Sequence, residues 1–77
     1  PLYTPDFLIL NKLLINGKRI YWIDAKNYYA TNVPYIKEHM KKQSEKYNKV
    51  FGFGMFLMKH GVYNKLKIPG SIILSIE

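Results

Sequence analysis

The sequence predicts a small α/β domain in which one helix packs on a mixed β-sheet. Three observations carry this. Runs of apolar, β-branched and aromatic residues flank turn signals in both halves of the chain, over 7–23 and 55–76. One stretch between them, 34–49, repeats its apolar residues at helical spacing. At 77 residues there is room for one domain, assigned here to the whole of 1–77.

Residues 7–10 form a short apolar run after a proline, which fits a buried strand. Residues 13–15 and 18–23 flank Asn16-Gly17, a strong hairpin signal, because both turn residues tolerate positive φ. Residues 27–33 read as a loop. Asn32 is the candidate helix cap and Pro34 lies in the first turn. Ile36, Met40, Gln43, Tyr47 and Val50 follow at steps of four and three, so they share one face. Lys37, Glu38, Lys41, Lys42, Glu45 and Lys46 occupy the other. Gly52 and Gly54 end the helix and admit close backbone approach. Residues 55–58 read as a strand, His60-Gly61 as a turn, 62–67 as ambiguous and Pro69-Gly70 as a second turn. Residues 71–76 form a last β-branched strand.

Composition narrows the function classes. The chain has no cysteine, which excludes disulfides and thiolate metal sites and fits an intracellular, reducing compartment. No signal-peptide pattern is present and no apolar run is long enough to span a bilayer, so a membrane role is not expected. The chain starts at Pro1 and enters a strand almost at once, which reads as a piece of something longer. The net charge is +7, and all but Arg19 of the twelve basic residues are lysine. AT-rich codon usage and a polyanionic partner explain this equally well. Lysine neutralises phosphate without reading bases, so no sequence specificity is expected of such a partner.

One constellation carries chemistry. Asp6 stands at the mouth of the first strand. Asp24, Ala25 and Lys26 close the second, where an apolar strand has no need of charge. At period two, Asp24 and Lys26 leave the same face. A surface ion pair there would contribute only ~0–1 kcal/mol. The alternative is a metal site. Mg2+ or Mn2+ takes oxygen ligands, which Asp6, Asp24 and the Ala25 carbonyl supply. Lys26 would then stabilise charge on a phosphate under attack. Gln43 and Tyr47, one helical turn apart, would orient the lysine, the water or the phosphate. The helix lysines Lys37, Lys41, Lys42 and Lys46 would meet the nucleic-acid backbone.

A geometric condition follows. A strict two-residue turn at Asn16-Gly17, carried on without irregularity, pairs 9 with 24 and sets Asp6 on the face away from Asp24 and Lys26. The site therefore requires an odd offset in the hairpin, or a bend at Pro5.

These residues resemble a known family. Pro5-Asp6 followed by Asp24-Ala25-Lys26 resembles the PD-(D/E)xK nuclease superfamily, and Gln43-x-x-x-Tyr47 its RecB-like branch. The strings "TPDFLIL", "IYWIDAK", "QSEKYNKVFGFGMFLM" and "IPGSIILSI" together resemble the TPD-motif family, which includes the codanin-interacting nuclease of animals and archaeal homologues. The resemblance covers nearly the whole chain. It implies a restriction-endonuclease-like core and a divalent-metal-dependent nuclease acting on DNA phosphodiesters, structure-selective or non-specific. By the same implication Asp6, Asp24 and Lys26 are catalytic, with Gln43 and Tyr47 in support. A homodimer, common in junction-cutting relatives, and a protein partner fit it too. Two departures stand out. The superfamily usually has an upstream core helix with an acidic residue, which would lie before Pro1. Phe53 separates the glycines where members of the family carry proline. The alternative is a module that keeps the fold but only binds nucleic acid or docks a protein.

Overall fold

The computed structural model describes residues 4–63 and 65–76. Residues 1–3, where the chain start was read, and Asn64, inside the ambiguous 62–67 stretch, lie outside the described residues. The domain is a mixed α/β structure. Its strands are β1 (Phe7–Leu8), β2 (Leu14–Ile15), β3 (Lys18–Arg19), β4 (Trp22–Lys26), β5 (Gly54–Met58) and β6 (Ser71–Ser75), with helix α1 (Pro34–Phe51) between β4 and β5. The main sheet has the order β1-β4-β5-β6, and β2-β3 form a separate two-stranded ribbon.

Asn16 (φ 53°) and Gly17 (φ 79°) both adopt positive φ, so the two-residue turn is present and Ile15 pairs with Lys18. Yet β1 meets β4 three residues out of that register, with Phe7 opposite Ile23 and Leu8 opposite Trp22. Five residues, 9–13, separate β1 from β2, whereas only Ile20 and Tyr21 separate β3 from β4. The excess of three is odd. An odd slip exchanges the two faces of a strand. Asp6 is thereby turned onto the face of Asp24, as the site required, by an excursion in the arm rather than at the turn. Ile9 N–H to Tyr21 O (2.9 Å) and Ile20 N–H to Leu13 O (2.8 Å) fix the two ends of the excursion.

β4 runs parallel to β5, with Asp24 beside Phe56, and β5 parallel to β6. Parallel neighbours need a crossover, and α1 supplies the first. Residues 59–70 supply the second, pinned by the bridge between Ala30 and Val62 and by buried Leu66 and Ile68. The core lies between sheet and helix and contains Trp22, Met40, Tyr47, Phe56 and Met58. No helix among the described residues is long and apolar enough to cross a membrane.

Five sequence expectations need correction. Residues 7–10 are not a buried strand: β1 is only Phe7–Leu8, and Phe7, Leu8 and Leu10 are exposed, because β1 is an edge strand. Residues 18–23 are not one strand: the strand breaks at Ile20-Tyr21, between β3 and β4. Asn32 does not cap α1; the cap position is Val33, which makes no side-chain cap hydrogen bond. Proline favours the first helical position and holds the residue before it extended, which moves the boundary to Val33-Pro34. Thr31 Oγ1 instead accepts the Val33 N–H at 2.7 Å. Val50 is 69% exposed and does not belong to the buried stripe, whereas Phe51, one residue on, packs on the core. Ser44 is fully buried on that face. The helix also runs to Phe51 rather than Lys49.

Ser44 and Asn48 clamp the second crossover. Ser44 Oγ donates to Pro69 O (2.8 Å), and Asn48 Nδ2 donates to Gly70 O (2.7 Å) and Ser44 O (2.6 Å). Asn48→Ala is expected to lower stability by ~0.5–1.5 kcal/mol, since the Gly70 carbonyl at the turn loses its donor. Urea unfolding measures it, and an unchanged midpoint would show the clamp to be incidental.

Candidate active site

The site forms where β1, β4 and α1 meet. Ile9 bonds to Tyr21, so 9–21, 7–23 and 5–25 are the hydrogen-bonded positions of this antiparallel pair. Carried one residue beyond Phe7–Ile23, the register sets Asp6 opposite Asp24 at a non-hydrogen-bonded position, where facing side chains approach most closely. Pro5, just before Asp6, has no N–H to give to β4. The Ala25 N–H turns to Asp6 Oδ2 at 2.8 Å. The Asp6 N–H in turn reaches Asp24 Oδ1 at 3.1 Å. The two aspartates are thus locked together by each other's strands.

Alternation along β4 sends Trp22, Asp24 and Lys26 to the face covered by α1. Asp24 is 5% exposed. Its Oδ2 receives the Lys26 ammonium at 2.7 Å. Lys26 Nζ also donates to Gln43 Oε1, reaching from the sheet to the helix. It lies 5.6 Å from the Phe56 ring centroid, a further attraction for a cation. An ammonium has three protons. Two are taken by Asp24 and Gln43, which leaves one for a further acceptor.

Tyr47, one turn after Gln43, is buried and meets Trp22 edge to face (4.9 Å, 71°). Burial first, then the charges of Asp24 and Asp6, push its hydroxyl up to about 12. It therefore stays protonated near neutrality. For a group raised on folding, stability is complete below the unfolded value of 10 and is lost as pH rises from there towards about 12. Tyr47→Phe should remove that part of the alkaline loss, read as a smaller fall in urea midpoint between pH 9 and pH 11. An identical fall in both proteins would place the hydroxyl away from the carboxylates.

Asp6, Asp24, Ala25, Lys26, Gln43 and Tyr47 are therefore gathered at one place. The helix lysines are not. Lys46 and Lys42 lie roughly 60° and 100° round α1 on one side of Gln43, whereas Lys37 and Lys41 lie roughly 120° and 160° round on the other. Accordingly His39, Lys42, Gln43 and Lys46 line one concavity. Lys37 and Lys41 stand on the flank of Ser44 and Asn48.

Sequence reasoning missed His39 and Tyr35 as neighbours of the site; with Tyr28 they share a groove with Lys26 and Ile36. The signal available was the four-residue step from Tyr35 to His39 to Gln43. Burial first, then the charges of Asp24 and Tyr35, raise the Tyr28 hydroxyl pKa.

The family described as "Protein of unknown function TPD sequence-motif" matches residues 2–76. The chain belongs to the TPD sequence-motif family. Thr4-Pro5-Asp6 is its own copy of the three residues that name the family. Of these, Asp6 binds across to β4, accepting the Ala25 N–H and giving its own to Asp24. An uncharacterized protein of Acanthamoeba polyphaga mimivirus is 45% identical over 76 residues, which cover 94% of this TPD-family chain and 28% of the viral protein. The chain thus spans under a third of the length of that relative. No solved structure matches it.

The donor set fits a hard divalent cation. Asp6 and Asp24 offer carboxylate oxygens, and each oxygen already holding one proton donor keeps a second lone pair. Mg2+ is commonly held by one or two carboxylates with waters completing its shell. No group of three or more His, Asp or Glu that could hold a metal occurs among the described residues. A cation would therefore rest on Asp6, Asp24 and the Ala25 carbonyl.

Proposed function

We propose that this domain is a divalent-metal-dependent nuclease of the PD-(D/E)xK kind that hydrolyses DNA phosphodiesters. The observation that carries the reading is Lys26, shared between Asp24 and Gln43 beside the interlocked aspartates. A surface ion pair needs no helix amide to fix its lysine, whereas an ammonium aimed at a developing phosphate charge does. The order of elements supports the reading too: a strand with Asp6, a strand with Asp24-Ala25-Lys26, then a helix with Gln43 and Tyr47. That order is also the ground for the restriction-endonuclease-like likeness.

Mg2+ or Mn2+, when bound, would lower the pKa of a water and polarise the scissile phosphate. The chain's own residues do the rest. Asp6 and Asp24 would hold the cation. Lys26 keeps its last N–H for the attacking water or a phosphate oxygen. Gln43 sets the lysine's position, and neutral Tyr47 offers a proton donor close to both carboxylates. Lys42 and Lys46 draw the backbone of the substrate towards Gln43.

A second reading, binding without cutting, is favoured by Asp24, whose two oxygens already receive the Asp6 N–H and the Lys26 ammonium. Labelled single-stranded, duplex, forked and four-way DNA, each with Mg2+ or Mn2+, separates the two. Metal-dependent cleavage that disappears in Asp6→Asn supports the nuclease. Tight, salt-sensitive binding with no cleavage by the folded parent supports the binding module. Binding to neither would leave a protein-docking role.

A further inference from the structure

We propose that the groove beside Lys26, walled by Tyr28 and Tyr35, receives an unpaired base of a single-stranded nucleic acid. The proposal rests on the nucleic-acid reading above and names its substrate form.

Lys26, Tyr28, Tyr35, Ile36 and His39 line this groove, which holds about 330 Å³. Tyr28 and Ile36 are partly buried and packed on the core, so one wall and the floor are fixed. Tyr35 is 83% exposed at the start of α1, a large ring held in water. An aromatic ring beside a fixed aromatic wall, with cations at the rim, suits a flat π-system attached to an anion. The charges continue outward. His39 is shared with the concavity of Lys42, Gln43 and Lys46, and with a third one lined by Tyr35, Glu38 and Lys42. A strand whose phosphates follow Lys42 and Lys46 can set a base against Tyr35 while its next phosphate reaches Lys26.

Two features exclude a duplex from this groove. A paired base has both faces covered by its neighbours and must leave the stack to meet a tyrosine ring. The cations are lysines, which neutralise phosphate but supply no arginine fork for reading base edges in a groove. Stacking is also indifferent to base identity, since every base has a π-face.

The test measures binding rather than cleavage. Fluorescence anisotropy in EDTA, at low salt, compares a labelled oligo-dT strand, the same strand with abasic sites and a duplex of equal length. The parent is set beside Tyr35→Ala, Tyr35→Trp and Lys42→Ala. The expected result is tighter binding of the single strand than of the duplex. Tyr35→Ala should weaken single-strand binding about tenfold. Tyr35→Trp should restore it, and the abasic strand should bind the parent about as weakly as the intact strand binds Tyr35→Ala. Lys42→Ala should weaken all three probes alike. Tyr35 is exposed, so its loss does not empty the core; circular dichroism checks this. Equal binding by Tyr35→Ala and the parent, or equal affinity for duplex and single strand, would overturn the groove while a nuclease cutting elsewhere could still stand. Stacking that holds without any metal-dependent cleavage would overturn the nuclease and keep the groove. No binding of any probe would overturn the groove, and the metal-dependent cleavage assay above decides the nuclease separately.

Discussion

Lys26→Ala is expected to abolish metal-dependent cleavage, lowering its rate by about 100-fold or more, the scale seen when one stabilising donor is removed from a developing charge. The same change should destabilise the fold. Asp24 is 5% exposed and its Oδ2 would lose the ammonium 2.7 Å away. A buried charge left without its partner costs ~3–5 kcal/mol. The two effects can be separated. Lys26→Arg keeps a positive charge, but a planar fork does not replace a point charge held between a carboxylate and an amide oxygen. It should therefore recover stability in part and cleavage little. Asp6→Asn keeps an oxygen for the Ala25 N–H, so it should stay folded while losing cleavage. Rates on labelled DNA and urea midpoints for all three variants decide the matter. If Lys26→Ala cuts at the parental rate, the lysine is a structural ion pair and the nuclease reading loses its main support.

The second large effect falls on the core. Gly54→Ala should lower stability by about 3 kcal/mol, at the upper end of the overpacking range. Gly54 lies opposite Trp22 in the β4–β5 register, and an added Cβ would collide with Cε2, Cδ2 and Nε1 of the indole. The ring has nowhere to go. Tyr47 meets it at 4.9 Å and Phe56 at 5.2 Å, both near edge to face, and Nε1 donates to Gly52 O at 2.8 Å. A shifted Trp22 would also move Tyr47, so cleavage should fall with stability. Pairing Gly54→Ala with Trp22→Leu should recover part of the loss, because residues in contact couple. A parental urea midpoint for Gly54→Ala would show that the indole has room to move.

The glycine pair therefore has two separate physical causes. Gly52 takes φ 106° at the end of α1 and accepts the indole N–H; Gly54 makes space for the ring. Both positions stood out in the sequence as breakers. Their partner, Trp22, did not, because residue 22 meets residues 52 and 54 only after α1 has folded the chain back.

Local chemistry made several elements legible. Asn16-Gly17 marked its turn because positive φ is a property of those residues alone. Pro34 marked the start of α1 for the same kind of reason. Gln43 and Tyr47 fell on the sheet-facing side because four residues are about one helical turn. The far end of the stripe was misplaced: 36, 40, 43, 47 and 50 follow a period of 3.5. A straight α-helix drifts ~20° per heptad from that period. Over two heptads the drift turns Val50 outward and brings Phe51 in, with Ser44 buried at mid-helix.

What the sequence by itself determined is the class of the domain, the order of its elements and the residue types placed together on β4 and α1. These depend on turn chemistry, on period and on residues close in the chain. What only the tertiary structure decided is that they meet. Asp6 faces Asp24 because the excess between β1 and β2 is three residues, an odd number, and loop lengths in register do not show in a hydrophobic pattern. Likewise the four helix lysines were one class in the sequence and became two in the fold, with Lys42 and Lys46 beside Gln43 and Lys37 and Lys41 on the far flank. Which side of a helix faces a site is fixed by packing against the sheet, and that is a long-range property of the whole core.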